Sequence, residues 1–147
     1  MQNNTNIEIK RFRASDESLF DIAHKIRYEV FVQEQHVDKD IEFDSYENSC
    51  WHYLAYLDGK PAGTSRWRET ENGYKLERFA VLKNARGFKI GDKLLTTMLD
   101  ELKDDGKELY LNSQEVAMGF YAKHGFKKYG EPFLEADIVH YLMKYKG

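Results

Sequence analysis

The stretch from Leu76 to Lys93 reads LERFAVLKNARGFKIGDK, and its reading decides the fold. The first six residues form a strand-like run. From Ile90 onward Leu94, Leu95, Met98 and Leu102 recur at helical spacing, so a helix follows. Between the two, Lys83, Arg86, Lys89 and Lys93 stand beside Gly87 and Gly91. Glycine lets the backbone approach a ligand closely, the first N–H groups of a helix are free, and its dipole favours negative charge. The turn reads as an anion site, with phosphate as the natural guest, or as a plain solvated connection between strand and helix. Neither the Walker A spacing nor G-x-G-x-x-G is present, which argues against nucleotide hydrolysis and NAD binding. Within the strand the apolar face changes parity, from even at Leu76 to odd at Phe79 and Val81. A β-bulge, which frees backbone groups beside an active site, does this, and so does burial of both strand faces.

Upstream, Ile7, Ile9 and Phe12 suggest a first strand, and Ser15 offers an N-cap for a helix. Leu19, Ile22, Ala23, Ile26 and Val30 give that helix an apolar stripe running to about Gln33. The acidic segment from Val37 to Asn48 reads as a loop or a short broken helix. Trp51 to Leu57 and Ala62 to Arg68 are strands joined by Asp58-Gly59, a hairpin signal that Asn72-Gly73 repeats ahead of a strand from Tyr74 to Val81. Downstream of Leu102, Gly106 closes the helix and Leu109 to Leu111 forms a short strand. A third helix carries Val116, Phe120 and Tyr121 and stops at Gly125, and two strands complete the chain. The order β-α-β-β-β-α-β-α-β-β predicts an α+β fold, a mixed and mostly antiparallel sheet flanked by helices, in a single domain over residues 1–147.

Composition agrees with one such unit. At 147 residues, with 41% hydrophobic and 32% charged residues, the chain is long and apolar enough to bury a core. A net charge of −3 argues against a nucleic-acid-binding surface and leaves the cationic turn as a local feature. Cys50 stands alone, so no intramolecular disulfide or cysteine metal cage is expected, and Met1 to Glu8 is polar rather than a signal peptide. No run approaches the ~18 apolar residues of a membrane span. These features predict a soluble, cytoplasmic protein with no metal, no nucleic-acid partner and no membrane partner.

The strand LERFAV, the cationic turn, the next helix and strand, and FYAKHGF from Phe120 to Phe126 resemble in order and spacing the core of the GNAT N-acetyltransferases. The pyrophosphate loop of that family reads Q/R-x-x-G-x-G/A. Arg86-Gly87-Phe88-Lys89-Ile90-Gly91 matches its first and last positions, with Lys89 in place of the middle glycine. RYEVFVQEQ, WHYLAYLDGKPAGTSRWR and FLEADIVHYLM extend the resemblance to small bacterial GNAT proteins over nearly the whole chain. The resemblance implies a GNAT fold that binds acetyl-CoA as acyl donor, with backbone groups of Phe79, Ala80 and Val81 along the thioester arm and residues 86–91 at the pyrophosphate. It also implies direct transfer of the acetyl group to an amine, on a small molecule or on a protein, in a ternary complex. Tyr121 is implied as the acid for the departing thiolate. Elementary chemistry agrees in kind, because a phenol of pKa about 10 is protonated at neutral pH while a thiol of pKa about 8.5 departs as the anion.

The acceptor amine needs a base or desolvation, since a lysine-like amine of pKa ~10.4 costs about 4.6 kcal/mol to deprotonate at pH 7. Glu77 is a candidate from its strand. Glu34, Glu42, Asp44, His52, Glu135 and His140 are candidates from segments that GNAT proteins often place around the acceptor. Plainer roles compete: Tyr121 as a core residue, Cys50 as a packing thiol, His24 and His36 as surface residues, His52 and His140 as satisfied strand residues, and Asp38 to Glu47 as a solvated face. Two other functions also fit the turn. One is a non-catalytic acyl-CoA-binding sensor or interaction module, and the other is a module for a different phosphate ligand.

Overall fold

The computed structural model describes residues 6–147; residues 1–5, most of the polar N-terminal stretch, lie outside them. Strand β1 spans Ile7–Phe12 and helix α1 spans Glu17–Arg27. The cap of α1 is Asp16, one residue past the expected Ser15, and its carboxylate accepts from the Leu19 N–H. The helix continues as a π-helical segment over Tyr28–Glu34, in which the Gln35 N–H reaches back to the Val30 carbonyl. A short helix α2, Lys39–Glu42, and a 3-10 turn, Glu47–Ser49, organise the acidic segment.

The hairpin strands β2 (Trp51–Leu57), β3 (Lys60–Thr70) and β4 (Gly73–Val81) follow, then α3 (Ile90–Leu102) and β5 (Leu109–Gln114). Helix α4 (Met118–Ala122) and strands β6 (Phe126–Glu135) and β7 (Ile138–Tyr145) end the chain. The β2–β3 turn takes positive φ at both Asp58 and Gly59, as a two-residue hairpin with the right-handed strand twist requires.

The seven strands form one sheet in the order β1-β2-β3-β4-β5-β7-β6, antiparallel except between β4 and β5. One sheet face is covered by α3 and α4: Leu94, Leu95, Met98 and Tyr121 pack on Tyr53, Leu76, Leu111 and Met143. The other is covered by α1 and the π-helical segment, where Ala23, Ile26, Val30 and Phe31 pack on Phe12, Leu54 and Ala80. Tyr53 and Ala55 thus face one layer while Leu54 faces the other, the two-residue period of a strand buried on both sides. No helix among the described residues is long and apolar enough to cross a membrane.

Two irregularities position the site. The β3–β4 register shifts between Thr64 and Arg66, where Arg78 takes a φ of 60°, so β4 bulges and Leu76 and Phe79 share the α3–α4 layer while Ala80 enters the α1 layer. The parity change in the sequence therefore has the bulge as its cause. Next to it, β4 and β5 pair only at Tyr74–Leu109 and Lys75–Tyr110. Past Lys75 the two strands diverge, and the sheet opens into a cleft.

Candidate active site

The cleft between the splayed strands has a volume of about 400 Å³. Its floor includes Leu76, Glu77 and Phe79 of β4 and Leu111 and Asn112 of β5, and its rim includes Phe31 from the π-helical segment and Gln35 just past its end. The Gln114 amide donates to Gln35 Oε1 at 2.9 Å, bridging the first helix to β5 across the opening.

Tyr121 lies at the cleft wall with its ring held edge-on by Phe79, Phe120 and Phe126 at centroid distances of 5.7, 5.1 and 6.0 Å. Its hydroxyl makes no hydrogen bond among the described residues and keeps contact with solvent, the residue being 8% exposed. Burial pushes the phenol pKa upward, so the hydroxyl keeps its proton at neutral pH. Across the cleft, His140 Nδ1 lies 2.7 Å from the Ile138 carbonyl, which can only accept. Nδ1 therefore carries a proton, and Nε2 is the face left for chemistry, 3.6 Å from Glu135 Oε2. The Asn112 amide donates to the other Glu135 oxygen at 3.3 Å. Glu135 and His140 thus share the cleft with Tyr121.

Glu77 also faces the cleft, but as a clamped ion. Its carboxylate contacts Arg66 at 2.6 Å, Arg68 at 3.1 Å and Lys75 at 3.3 Å. Burial alone pushes its pKa up, but Arg66, Lys75, Arg78 and Arg68 together outweigh that and hold it below the ordinary value. The clamp belongs to a larger network. Arg27, only 1% exposed, contacts Glu42 at 2.8 Å and Glu47 at 2.9 Å, and Arg66 contacts Glu47 and Asp44, each at 2.7 Å. The acidic segment is therefore a solvated face only in part: Asp38 and Asp40 are exposed, Asp44 and Glu47 pair with Arg66, and Glu42 is buried, where burial pushes its pKa up despite Arg78 and Arg27. Among the described residues no buried side-chain nitrogen or oxygen is left without a partner.

Two of the acceptor-side candidates lie elsewhere. His52 is 1% exposed, sits between Phe12 and Phe20 at ring distances of 5.4 Å each, and donates from Nε2 to the Glu47 carbonyl. It is a core histidine on the α1 side. Glu34 points to the anion turn, where both its oxygens accept from the Arg86 guanidinium at 2.7 Å. His24, expected at the surface, stacks on Phe43 at 3.8 Å. Cys50 is fully buried, and burial pushes its thiol up to about 11, which suits a packing role.

The turn forms a second concavity of about 350 Å³, lined by Val81, Arg86, Gly87, Lys89, Ile90 and Gly91 together with Asp92 and Lys123. Phe88 turns outward, 42% exposed. Lys89 takes φ 64°, ψ 31°, the left-handed conformation that explains a glycine at this place in the family loop. A side chain on Gly87 would meet no atom within 4 Å, so the backbone there is open. Gly63 lets the start of α3 sit against β3, because a Cβ there would fall 2.8 Å from Ile90. An open turn, a helix N-terminus and three cations suit a pyrophosphate. Lys123, missed in the sequence, reaches the turn from the end of α4 and pairs with Asp92 at 3.3 Å. No group of three or more potential metal ligands occurs among the described residues.

Comparison with known proteins agrees. The family model described as an acetyltransferase (GNAT) domain matches residues 13–146. The chain belongs to the GNAT acetyltransferase family. It is 37% identical over 137 residues to the uncharacterized N-acetyltransferase YjcF of Bacillus subtilis, across 92% of this chain and 98% of that one. The crystal structure of an acyl-CoA N-acyltransferase from Pseudomonas aeruginosa shares its fold with a TM-score of 0.84 at 24% identity, covering 96% of this chain and 100% of that one. PaiA N-acetyltransferase from Thermoplasma acidophilum, solved in complex with coenzyme A, matches with a TM-score of 0.68 at 21% identity, over 97% and 99% of the two chains. Membership makes this GNAT protein an acyltransferase that moves an acyl group from CoA to an acceptor.

Proposed function

We propose that this GNAT domain transfers an acetyl group from acetyl-CoA directly to an amine bound with it in the cleft, with Tyr121 as acid and His140 as base. The observation that carries the reading is the presence, in one cleft, of a phenol whose hydroxyl has no protein partner among the described residues and an imidazole whose Nδ1 is already committed. Acetyl-CoA supplies the acetyl group as a thioester. Arg86, Lys89, Lys123 and the amides at the start of α3 hold its pyrophosphate, and the open edge of β4 from Phe79 to Val81 receives the arm that leads to it.

His140 Nε2 takes the proton that the amine loses on attack, and Glu135 stabilises the imidazolium that results. Tyr121 gives its hydroxyl proton to the departing sulfur. Glu77 is the poorer base, because the cations around it favour its ionised form. It fixes Arg66 and Arg68 in the wall. The test is an acetyl-CoA consumption screen across amine classes. With the best acceptor at saturation, His140→Gln is expected to lower kcat by about 10²- to 10⁴-fold with acetyl-CoA binding retained. Undiminished kcat in that variant would remove His140 from the chemistry.

A further inference from the structure

The wall of the cleft opposite His140 carries an unused receptor. Arg68, on β3, spends only its Nε on the protein, at 3.1 Å from Glu77 Oε2. Its guanidinium carbon sits over the Tyr46 ring, 3.9 Å from the centroid. The two terminal nitrogens, Nη1 and Nη2, have no partner among the described residues and are not sealed from solvent. Arg68 lines the cleft, so a planar fork held at its root and across one face presents its free edge there.

The surrounding charge does not cancel this fork. Arg27, Arg66, Arg68, Arg78 and Lys75 interlock with Glu42, Asp44, Glu47 and Glu77, which leaves one positive charge in surplus. Across the cleft, Glu135 beside His140 supplies a negative charge. A molecule with a cationic amine at one end and an anionic group at the other matches both walls, whereas a polyamine meets a like charge at Arg68.

Resting on the acyl-transfer reading above, we propose that the acceptor is an amine that also bears a carboxylate, the carboxylate bound by the Arg68 fork and the amine presented to His140. A carboxylate is favoured over a phosphate monoester because it carries one charge rather than nearly two, which matches the single positive charge in surplus around the fork.

The experiment compares amino carboxylates of graded length with their primary carboxamides, their phosphonate analogues and simple alkylamines, measuring kcat/KM with acetyl-CoA. The carboxylate is expected to exceed its carboxamide by about ten- to hundredfold, mainly through KM, as for a charge-assisted pair. Arg68→Gln, checked for folding by its melt, is expected to collapse that preference toward unity, and Arg68→Lys to restore only part of it. A carboxamide or alkylamine equal to the carboxylate, a phosphonate preferred over it, or a preference that survives Arg68→Gln would each overturn the proposal while leaving acyl transfer standing. If no amine is acetylated, the function fails, and calorimetric binding of the amino carboxylates to the CoA complex then judges the fork alone. Binding lost in Arg68→Gln supports it, and absent or unchanged binding overturns it.

Discussion

Three side chains are explained by conditions that single substitutions change cleanly. Tyr121→Phe keeps the ring that Phe79, Phe120 and Phe126 hold and removes only the hydroxyl. Its melt and CoA affinity are expected to match wild type while single-turnover transfer slows at least about tenfold, toward the lower end for a general acid because a thiolate is already a fair leaving group. Full speed with a good acceptor would return Tyr121 to packing. Lys89→Gly relieves a left-handed φ of 64° that costs a residue with a Cβ about 1–2 kcal/mol, against about 0.5–1 kcal/mol for glycine's extra freedom in the unfolded chain. Stability is expected to rise slightly and CoA binding to fall tenfold at most, and abolished binding with an intact fold would misplace the family loop. His52 has its pKa lowered by burial, so the unfolded chain takes up its proton near pH 6.5 before the folded one does. Its stabilisation is complete above that pH and is lost as pH falls toward the lower folded value, with a slope of at most about 1.36 kcal/mol per pH unit. His52→Phe, which keeps the stack on Phe12 and Phe20, is expected to flatten urea-measured stability between pH 7 and pH 5, in part because His24 titrates in the same sense. An unchanged slope would contradict the assignment.

The π-helical segment and the anion turn are joined by the Glu34–Arg86 pair, and this link bears on the proposed cofactor binding. Both side chains are about 40% exposed, so the pair itself contributes little to stability. In the proposed binding mode Arg86 must give up that carboxylate to turn to the pyrophosphate. Arg86→Ala is therefore expected to weaken CoA binding far more than binding of a pantetheine fragment without the nucleotide, and Glu34→Gln to strengthen CoA binding a few-fold. Calorimetry on both variants checks this, and weaker CoA binding in Glu34→Gln would mean that Glu34 positions Arg86 instead of competing for it. Elements of this kind were only partly legible in the sequence. The strand, turn and helix from Leu76 to Leu102 are local, so periodicity and glycine placement delimit them. The π-helical turn at Tyr28–Glu34 and the Asp16 cap leave no such signature, because a wider turn keeps the same apolar stripe and Ser15 and Asp16 are equally good caps.

At the scale of the molecule, the sheet order and the cleft follow from long-range pairing. Candidates for the site could be collected from the sequence, but their grouping could not. Nothing local separates His140, which reaches the cleft, from His52, which a neighbouring strand face turns into the core. The acidic segment could not be read as the counter-charge for Arg27 and Arg66, because those arginines lie far from it along the chain and become buried only when β3 and α1 close over it. Arg68 ends the strand run from Ala62 with nothing local to single it out, since its free edge is defined by Tyr46 and Glu77. The central claim is that these parts carry an acetyl group straight from acetyl-CoA to an amine. The most direct measurement is a single turnover with acetyl-labelled acetyl-CoA and the best acceptor from the amine screen, followed by mass analysis of protein and small molecules. The account predicts that free CoA and labelled N-acetyl product appear together in equal amounts, with no label on the protein at any time. Label passing through the protein, or CoA bound with no transfer to any amine, would contradict it.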